Sequence, residues 1–444
     1  MESGATMAWY ETLTLIFGAV LALLGIGMPV AFALAAVTLA GIYLTQGWGG
    51  PFQSYVLSVK SSLSVFSLLP VPLFVLMGEI LWHSKIAGRA LKSLDVAMGR
   101  LPGRLSLLTI ASGTLFSTLS GSTMANTALL GRLLVPELMQ RKYSGAMSMG
   151  PIMASGALSM LIPPSALAVI FASVAKISIG KLLIALILPG ILLAVLYAVF
   201  VIGVAIKFPS HAPSYQVERA TLGAKLKGLF TNVLPLTLVI ILVIGVIFAG
   251  IATPTEAAAI GALASFCLAA AYGGLSVRAV WSSLIDTVRI SVMMLTILAS
   301  AIAFSQLLAF TGASRGLLNF VVAGDQSPMV FVILTMLLLL VLGMFLEQIA
   351  IMMVTLPILM PIIAALHLDP IWFAVLMLIN LEIALMTPPF GMLLFVMRSV
   401  TPPSITMTAI WRSVIPYVLI NLFVIGLIMV IPTIATYLPK LAFG

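Results

Sequence analysis

The sequence predicts an all-α polytopic membrane protein made of two inverted repeats, with about 10 transmembrane spans and two re-entrant helical hairpins. Of its 444 residues, 62% are apolar and 7% are charged, whereas an average soluble protein carries roughly 25% charged residues. Apolar windows of about 20 residues, the length of a spanning helix, recur along the chain. Four prolines of the first half also recur in the second half at one spacing. These observations exclude a soluble fold.

What repeats between the two halves is the spacing of the prolines that are expected to break helices. The prolines of the two halves align without a gap at one constant offset, in the pairs Pro29 and Pro254, Pro136 and Pro361, Pro163 and Pro388, and Pro164 and Pro389. Proline is common in membrane helices, which explains single matches but not four at one offset. We therefore place the first repeat at residues 1–219 and the second at 220–444.

The apolar run 13–44 begins the first repeat and is too long for one span. As a single helix it would measure roughly 48 Å, against a hydrocarbon core of about 30 Å. We predict paired spans over 12–28 and 29–45. The later elements of this repeat are a span over 66–83, a hairpin over 105–140, a broken span over 147–175 and a span over 183–206. The second repeat follows with spans over 231–251, 255–272 and 288–310, a hairpin over 328–366, a broken span over 371–398 and a span over 411–438.

The distribution of basic residues orients this layout. The predicted loops of one side hold only Lys60, Lys176, Lys181, Arg315 and Lys440, and most other Lys and Arg residues lie on the opposite side. Basic loops face the cytoplasm, so both termini are predicted to be periplasmic and the protein to lie in the bacterial inner membrane. Four spans separate the two broken helices, which therefore enter from opposite faces. The net charge of +9 is attributed to topology rather than to nucleic-acid binding.

The helix breaks carry the chemistry expected of a secondary transporter, whose sites lie near the bilayer midplane. Each Pro-Pro pair lacks N–H groups and frees carbonyls one turn earlier, at Ser159 and Met160 and at Ala384 and Leu385. In hydrocarbon such carbonyls must face protein, water or a cation, and the negative end of a helix suits Na⁺. A structural kink is the alternative. The presence of the pair in both halves, beside a hairpin tip, favours the cation.

The two hairpin tips differ in chemistry. Ser120, Gly121, Ser122 and Asn126 form the first tip, where hydroxyl and amide oxygens are hard ligands for an alkali cation and the glycine permits a reversal. Ser122 can also cap the returning helix. In the second tip, Glu347 takes the place of Ser122.

Five charged residues lie in predicted spans, where each costs about 2.5–3.5 kcal/mol on insertion scales. We expect Glu256 to cap a helix and Glu79 to reach water near a cytoplasmic end. Glu347 and Glu382 flank the second break and are functional candidates. Arg132 either binds a substrate carboxylate or extends to the cytoplasmic surface.

An intramembrane enzyme and an open channel are the other classes considered. The three histidines, His83, His211 and His367, lie at span ends or in loops, and the sequence holds no HExxH motif. The serines of the first tip therefore lack a histidine base at depth. Hairpins and broken helices favour an occluded site over an open pore. We expect no enzymatic activity.

An ordered set of motifs covers most of the chain. The motifs are GxPVAFAL at 27–34, SGS at 120–122, IPPS at 162–165, SIGKLLIALILPG at 178–190, ATPTEAAAIGA at 252–262, the Glu347 segment through LPILMP at 356–361, and NLEIALMTPPFG at 380–391. In these motifs the chain resembles the large membrane subunit of the TRAP (tripartite ATP-independent periplasmic) transporters, of the DctM and SiaM type, in the ion transporter superfamily.

The resemblance implies Na⁺-driven import of an organic acid, a carboxylate or sugar acid such as a C4-dicarboxylate or sialic acid. It implies two partners, a periplasmic substrate-binding protein and a small four-helix membrane subunit, and no cofactor other than Na⁺ as coupling ion. It also implies an elevator motion of the hairpins and broken helices. The alternative within transport is a stand-alone anion symporter, or an Na⁺/H⁺ antiporter that uses Glu347 and Glu382.

The resemblance also places sites by position. The first Na⁺ site would comprise Ser120, Gly121, Ser122, Asn126, Leu161 and Pro163. The second would comprise Gly343, Glu347, Met386, Thr387 and Pro388. Candidates for substrate binding are Arg132, Ser165, Glu382 and Gly391. Ala384 and Leu393 depart from the Gly and Asn that are frequent in the family, so a polar contact to substrate is lost at Leu393.

Overall fold

The computed structural model describes residues 8–46, 50–64, 68–84, 86–99, 101–120, 122–213, 221–324 and 327–444, and every regular element in these ranges is helical. This confirms the predicted all-α class. The helices of the first half are α1 (Trp9–Gly25), α2 (Val30–Gln46), α3 (Gly50–Leu63), α4 (Pro70–His83), α5 (Ile86–Met98), α6 (Arg104–Ser120), α7 (Thr123–Gln140), α8 (Gly145–Ala157), α9 (Ala166–Ala175), α10 (Ile179–Ala185) and α11 (Ile187–Lys207).

The second half contains helices in a closely similar order. They are α12 (Leu222–Gly228), α13 (Leu234–Phe248), α14 (Pro254–Ala271), α15 (Val277–Phe310), α16 (Ala313–Ala323), α17 (Pro328–Leu342), α18 (Gln348–Ala365), α19 (Pro370–Met386), α20 (Met392–Val400), α21 (Met407–Val430) and α22 (Thr433–Phe443). The first and last residues of α18 are separated from those of α7 by the same number of residues that separates the paired prolines. The first residues of α8 and α19 are separated by this number as well. The helix boundaries thus repeat in register with the prolines.

Long apolar helices make this a multi-pass membrane protein. Among the described residues, the helical segments long and apolar enough to cross a bilayer are Ile179–Lys207, Leu222–Phe248, Pro254–Ala271, Val277–Phe310, Gln348–Ala365 and Met407–Val430. Shorter apolar helices, α1 and α2 among them, accompany these. The predicted paired spans at the start of the chain are therefore two separate helices.

Hydropathy missed four helices that lie outside every predicted span, α3, α5, α12 and α16. The reason is clear for α5, which buries Ile86 and Ala90 but exposes Arg89 and Lys92. Such a two-faced helix suits a membrane surface rather than a span. Two boundaries also differ from the prediction. α15 begins at Val277 instead of 288 and runs for 34 residues, and the last span divides into α21 and α22.

Two buried helices form the centre of the molecule. In α19 every residue after the first is buried, and α8 is buried from Met147 to its end. α6 and α7 pack on α8, while α17 and α18 pack on α19. The two predicted hairpins therefore lie against the two predicted broken helices. A Cβ on Gly156 of α8 would clash with Thr127 of α7, so glycine is required for this close approach.

Both central helices are interrupted where the prolines predicted. α8 ends at Ala157 and is followed by a 3₁₀ turn at Leu158–Met160, after which Pro163 and Pro164 precede α9. α19 ends at Met386, and Pro388 and Pro389 precede α20. The bond between the two prolines is cis in both breaks.

A second group of helices faces the hairpins. α4 packs on α14, α2 packs on α15, and α4 and α15 pack on each other. From this group α15 reaches α18, and α4 reaches α6 and α9. We call α2, α4, α14 and α15 the wall. The space between the wall and the hairpin tips is where the candidate site lies.

Candidate functional site

A cavity of about 140 Å³ lies between the hairpin tips, the helix breaks and the wall. The tips contribute Ser122, Thr123 and Met124 from the first hairpin and Glu347, Gln348 and Ile349 from the second. The breaks contribute Pro164, Ala166, Leu167 and Leu385, and the wall contributes Phe74, Val75, Ile290, Met293 and Met294. Parts of both repeats that are distant in sequence therefore enclose one space, mostly apolar with a few polar groups.

Three helices begin at this cavity. Thr123, Gln348 and Ala166 are the first residues of α7, α18 and α9, and all three line it. The first N–H groups of a helix have no partner within the helix, and the helix dipole makes this end positive. Three such ends at one cavity create an environment that favours an anion.

The tip residues Ser122 and Glu347 differ in their local role. Ser122 caps α7, because its Oγ accepts a hydrogen bond of 3.3 Å from Ala125 N. Glu347 occupies the same position before α18, but its side chain caps nothing and lines the cavity. The second tip thus presents a carboxylate where the first presents a hydroxyl.

Glu382 connects the two halves beneath the cavity. Its carboxylate is fully buried in α19, and Thr123 Oγ1 of the first tip lies 3.0 Å and 3.3 Å from its two oxygens. Thr123 Oγ1 also lies 2.6 Å from Ser159 Oγ in the first break. Thr123 Oγ1 donates its one proton to Glu382, so Ser159 is the donor in the hydrogen bond between the two hydroxyls.

The second tip also approaches this carboxylate. Gln348 and the backbone of Met160 lie close enough to Glu382 to interact with its carboxylate, but Gln348 Nε2 is buried and forms no hydrogen bond with the described residues. Gln348 follows Thr123 at the same offset as the paired prolines, so equivalent positions of the two hairpins converge on one acid. We call Glu382, Thr123, Ser159 and Gln348 the carboxylate bridge.

The structure brings the residues of the second predicted Na⁺ site into one region. Gly343 ends α17 and packs so closely on Ala384 that a Cβ would clash. Phe345 of the tip lies 5.2 Å from Phe390 of the break, between ring centroids. Thr387 Oγ1 donates to Ile383 O at 2.7 Å. Tip and break are therefore in direct contact.

Gly391 follows the second break, and its lack of a side chain lets the backbone run close to the carbonyl oxygens of that break. A Cβ on this residue would clash with Leu385 O and would lie 2.9 Å from Thr387 O. Met386 and Pro388, the other predicted members, flank Thr387 in sequence. The backbone oxygens of this break thus lie close beside Gly391.

The residues of the first predicted Na⁺ site are less closely grouped. Gly121 and the side chain of Ser120 lie outside the described residues. Ser122 lines the cavity, whereas Asn126 is buried one turn into α7 and donates to Gly113 O of α6 at 3.1 Å. Leu161 and Pro163 lie in the first break, where the carbonyl of Leu161 faces Gly190 of α11.

None of the four predicted substrate residues is among the described residues that line this cavity. Arg132 is exposed on α7, and Glu382 is held in the carboxylate bridge. Ser165 is buried and caps α9 by accepting from Ala168 N at 3.3 Å. Gly391 lies beside the second break.

Sequence reasoning missed several residues of the site. It noted the hydroxyls of the first tip but not the contact of Thr123 with Glu382, and it did not single out Gln348. Thr123 and Gln348 are related by the offset of the paired prolines, so Gln348 could have been identified from Thr123 by this offset. The wall residues Phe74, Ile290 and Met293 carry no local signal, because they resemble any apolar residue of a span.

Glu256 is a helix cap, as expected. Its Oε2 accepts from Thr253 N at 2.7 Å and from Thr253 Oγ1 at 2.8 Å, while Thr253 Oγ1 accepts from Glu256 N. This reciprocal arrangement is a capping box at the start of α14. It satisfies the helix end and leaves no acid to explain at that place.

Comparison with known proteins identifies the family. The family model of the tripartite ATP-independent periplasmic transporter, DctM component, matches residues 17–434. The chain belongs to this family. The TRAP family consists of transport proteins, which confirms the expected transport class and the expected lack of enzymatic activity.

Curated TRAP permeases align over nearly the whole chain. The C4-dicarboxylate TRAP transporter large permease protein DctM of Rhodobacter capsulatus is 31% identical, with 96% of this chain and 98% of that protein covered. The sialic acid TRAP transporter large permease protein SiaM of Vibrio cholerae is 32% identical, with 96% and 97% covered. The resemblance found in the motifs is therefore confirmed.

A solved transporter shares the fold of this TRAP permease. The YdaH transporter of Alcanivorax borkumensis superposes with a TM-score of 0.61 over 90% of this chain and 96% of that one, at 13% sequence identity. At this identity the likeness concerns the fold alone.

Proposed function

We propose that this chain is the large permease subunit of a Na⁺-coupled tripartite secondary transporter that imports an organic acid. A periplasmic binding protein delivers the acid, and a small four-helix membrane subunit completes the permease. The complex lies in the bacterial inner membrane with both termini of this chain in the periplasm. One observation carries the proposal: both hairpin tips and both helix breaks enclose the same cavity.

The choice of an acid as substrate rests on the charges around this cavity. The N-terminal ends of α7, α9 and α18 supply partial positive charge and free N–H groups, which bind carboxylates without a basic side chain. Glu347 opposes an anion at the same place. A bound cation near Glu347 removes this repulsion, which gives a physical reason for coupling the acid to Na⁺.

The choice of Na⁺ rests on the oxygen atoms of the tips and breaks. The carbonyls of the second break crowd around Gly391, and Ser122 presents a hydroxyl at the first tip. Hard oxygen ligands and the negative ends of broken helices suit an alkali cation. The related permeases carry names with C4-dicarboxylate and with sialic acid, both acids, in keeping with this substrate class.

The experiment is uptake into proteoliposomes that contain this chain and the small membrane subunit. The cognate periplasmic binding protein is first screened by thermal shift against C4-dicarboxylates, sugar acids and sialic acid. The acid that binds is then supplied in radiolabelled form. Uptake is expected only with an inward Na⁺ gradient and the loaded binding protein.

Two controls make the outcome decisive. Replacing Na⁺ by K⁺, or omitting the binding protein, should reduce uptake to the level of empty liposomes. Equal uptake by this chain alone would assign it instead to the stand-alone symporters. Uptake driven by a proton gradient without Na⁺ would overturn the coupling ion.

A further inference from the structure

Three side chains of metal-ligand type meet between α4 and α15, away from the central cavity. His83 Nε2 lies 3.1 Å from Asp286 Oδ2 and 3.5 Å from Glu79 Oε2. One ligand atom from each residue lies within 4.8 Å of the others. The side chains of His83, Glu79 and Asp286 remain 27%, 17% and 35% exposed, so the cluster is not sealed inside the protein.

The fold explains why these residues meet. Glu79 and His83 are four residues apart on α4 and share one face of the helix. Asp286 reaches them from α15, which packs on α4. A hydrogen bond of 3.1 Å from Ser283 Oγ to Glu79 O ties the two helices at this level. The three groups are thus held by rigid elements rather than by a loop.

Neighbouring groups orient the carboxylate of Asp286. Arg289 Nη1 lies 3.7 Å from Asp286 Oδ1, while Oδ2 faces His83. The two oxygens of Asp286 therefore face different partners, and Oδ2 is the one available to an ion. Outer groups that orient ligands in this manner are a regular feature of metal sites.

The two distances from His83 to the carboxylates are near those of a metal site. Zinc binds histidine nitrogen and carboxylate oxygen at about 2.0–2.2 Å, which places neighbouring ligand atoms of a tetrahedral site roughly 3.3–3.6 Å apart. The two distances from His83 Nε2, 3.1 Å and 3.5 Å, are close to this range. One imidazole and two carboxylates supply three ligands, and water completes the fourth position.

We propose that Glu79, His83 and Asp286 form a binding site for a divalent transition-metal ion of the Zn²⁺ class, which clamps α4 to α15. Glu79 lies four residues after Val75, and Asp286 lies four residues before Ile290. Both Val75 and Ile290 line the central cavity. The metal therefore lies about one helical turn from the residues of α4 and α15 that line the cavity, and it holds these two helices together.

The sequence provides a clean background for a binding test. The whole chain has 3 His and 1 Cys, so few other soft ligands compete. The chain is purified in detergent with a tag that contains no histidine, stripped with a chelator and titrated with Co²⁺. We expect the visible absorption of a low-symmetry Co²⁺ site at one ion per chain, abolished by an equimolar amount of Zn²⁺.

Matched histidine variants locate the site. Affinity for Co²⁺ should fall at least 10-fold in His83→Gln and in Asp286→Asn, while His211→Gln and His367→Gln should bind like the unaltered chain. Elution from a size-exclusion column shows that each variant is folded. Unchanged binding in His83→Gln, or no Co²⁺ spectrum from the unaltered chain, would overturn the site.

The clamp has its own readout, the thermal unfolding of the chain in detergent. An ion that binds only the folded chain stabilises it, so micromolar Zn²⁺ should raise the unfolding temperature, and a chelator should reverse the shift. The same Zn²⁺ should leave the unfolding temperature of His83→Gln unchanged. An unfolding temperature that does not rise while the ion is bound would refute the clamp.

Discussion

At the scale of the residue, Glu382 is the most constrained side chain of this permease. It is fully buried, and Thr123 of the first hairpin donates to it. Thr123 and Ser159 form a chain of hydrogen bonds that ends on this one acceptor. Removing the acceptor leaves one buried hydroxyl donor of this chain unpaired, which costs more than the average net value of a hydrogen bond.

Glu382→Ala is therefore expected to destabilise the protein by about 1–3 kcal/mol. Glu382→Gln keeps an acceptor oxygen for Thr123 and should retain more of the stability. The measurement is thermal unfolding in detergent, followed by tryptophan fluorescence. Glu137→Ala is the control, because the ion pair of this half-exposed residue with Arg141 lies at the surface and its loss should cost less than about 1 kcal/mol. Equal losses in the alanine variants would contradict the bridge.

Ser122 has two possible roles, as the cap of α7 and as a ligand of the cation, and a pair of variants separates them. Ser122→Ala removes both the cap of α7 and a hydroxyl of the cavity, so the Na⁺ concentration for half-maximal uptake should rise several-fold. Ser276→Ala removes an equivalent cap, the 3.1 Å bond to Ala279 N at the start of α15, far from the tips in sequence. Its Na⁺ dependence should stay unchanged. If both variants respond alike, the hydroxyl of Ser122 is not an ion ligand.

At the scale of the element, close packing of small residues holds the second hairpin on α19. Gly343 of α17 touches Ala384, and Asn380 Nδ2 donates to Met336 O of α17 at 2.9 Å. In a membrane, helices associate through such contacts because lipid is as apolar as the side chains it replaces. The position of the second tip thus depends on one pair of small residues.

Gly343→Ala is expected to displace the second tip and to reduce uptake at least 10-fold, because its Cβ would clash with that of Ala384. Gly343→Ala combined with Ala384→Gly should recover most of the activity, since the second change restores the space. Gly426→Ala in α21 is the control, as nothing lies within 4 Å of its added Cβ. Uptake measured for the unaltered chain, the two single variants at 343 and 384 and their combination forms a double-mutant cycle. Absence of rescue would show that the contact does not position the tip.

At the scale of the whole molecule, the wall and the hairpins meet at a cavity of about 140 Å³. This is below the roughly 300–1,000 Å³ of a typical ligand pocket. A sugar acid therefore requires the tips to move away from the wall. Movement of the hairpins and broken helices against the wall, as in an elevator, meets this need.

Crosslinking tests this movement. Cys267 is first replaced by serine, and cysteines are placed at Met294 of the wall and Ile349 of the second tip, which line the same cavity. A short thiol crosslinker should abolish uptake, and cleavage of the link should restore it. Cysteines at Gly131 and Val400 join α7 of the first hairpin to α20 of the second broken helix, where a Cβ added at Gly131 would lie 3.5 Å from that of Val400. Both elements lie on the same side of the proposed motion, so their link should permit uptake. Transport with the wall linked to the tip would refute the motion.

Much of the fold follows from particular residues of the sequence. The double prolines at 163 and 388 locate both breaks, because two adjacent residues without an N–H disrupt the helix there, whereas the single prolines Pro136 and Pro361 lie inside the continuous helices α7 and α18. The amphipathic helix α5 escaped prediction because hydropathy averages its two faces. The inversion of the repeats, the number of spans and the direction of the termini remain predictions, as they depend on the membrane that orients the chain.

The candidate site likewise has features that the sequence predicts and features that only the structure shows. The sequence by itself determined which segments carry the chemistry, since proline breaks, the tip serines and the intramembrane acids Glu347 and Glu382 are local features. Only the tertiary structure decided their partners: it directed Glu382 to Thr123 rather than to the cavity, and it brought Glu79, His83 and Asp286 together. Helix breaks arise from covalent geometry within one turn, whereas these contacts join residues up to 259 positions apart and depend on how whole helices pack.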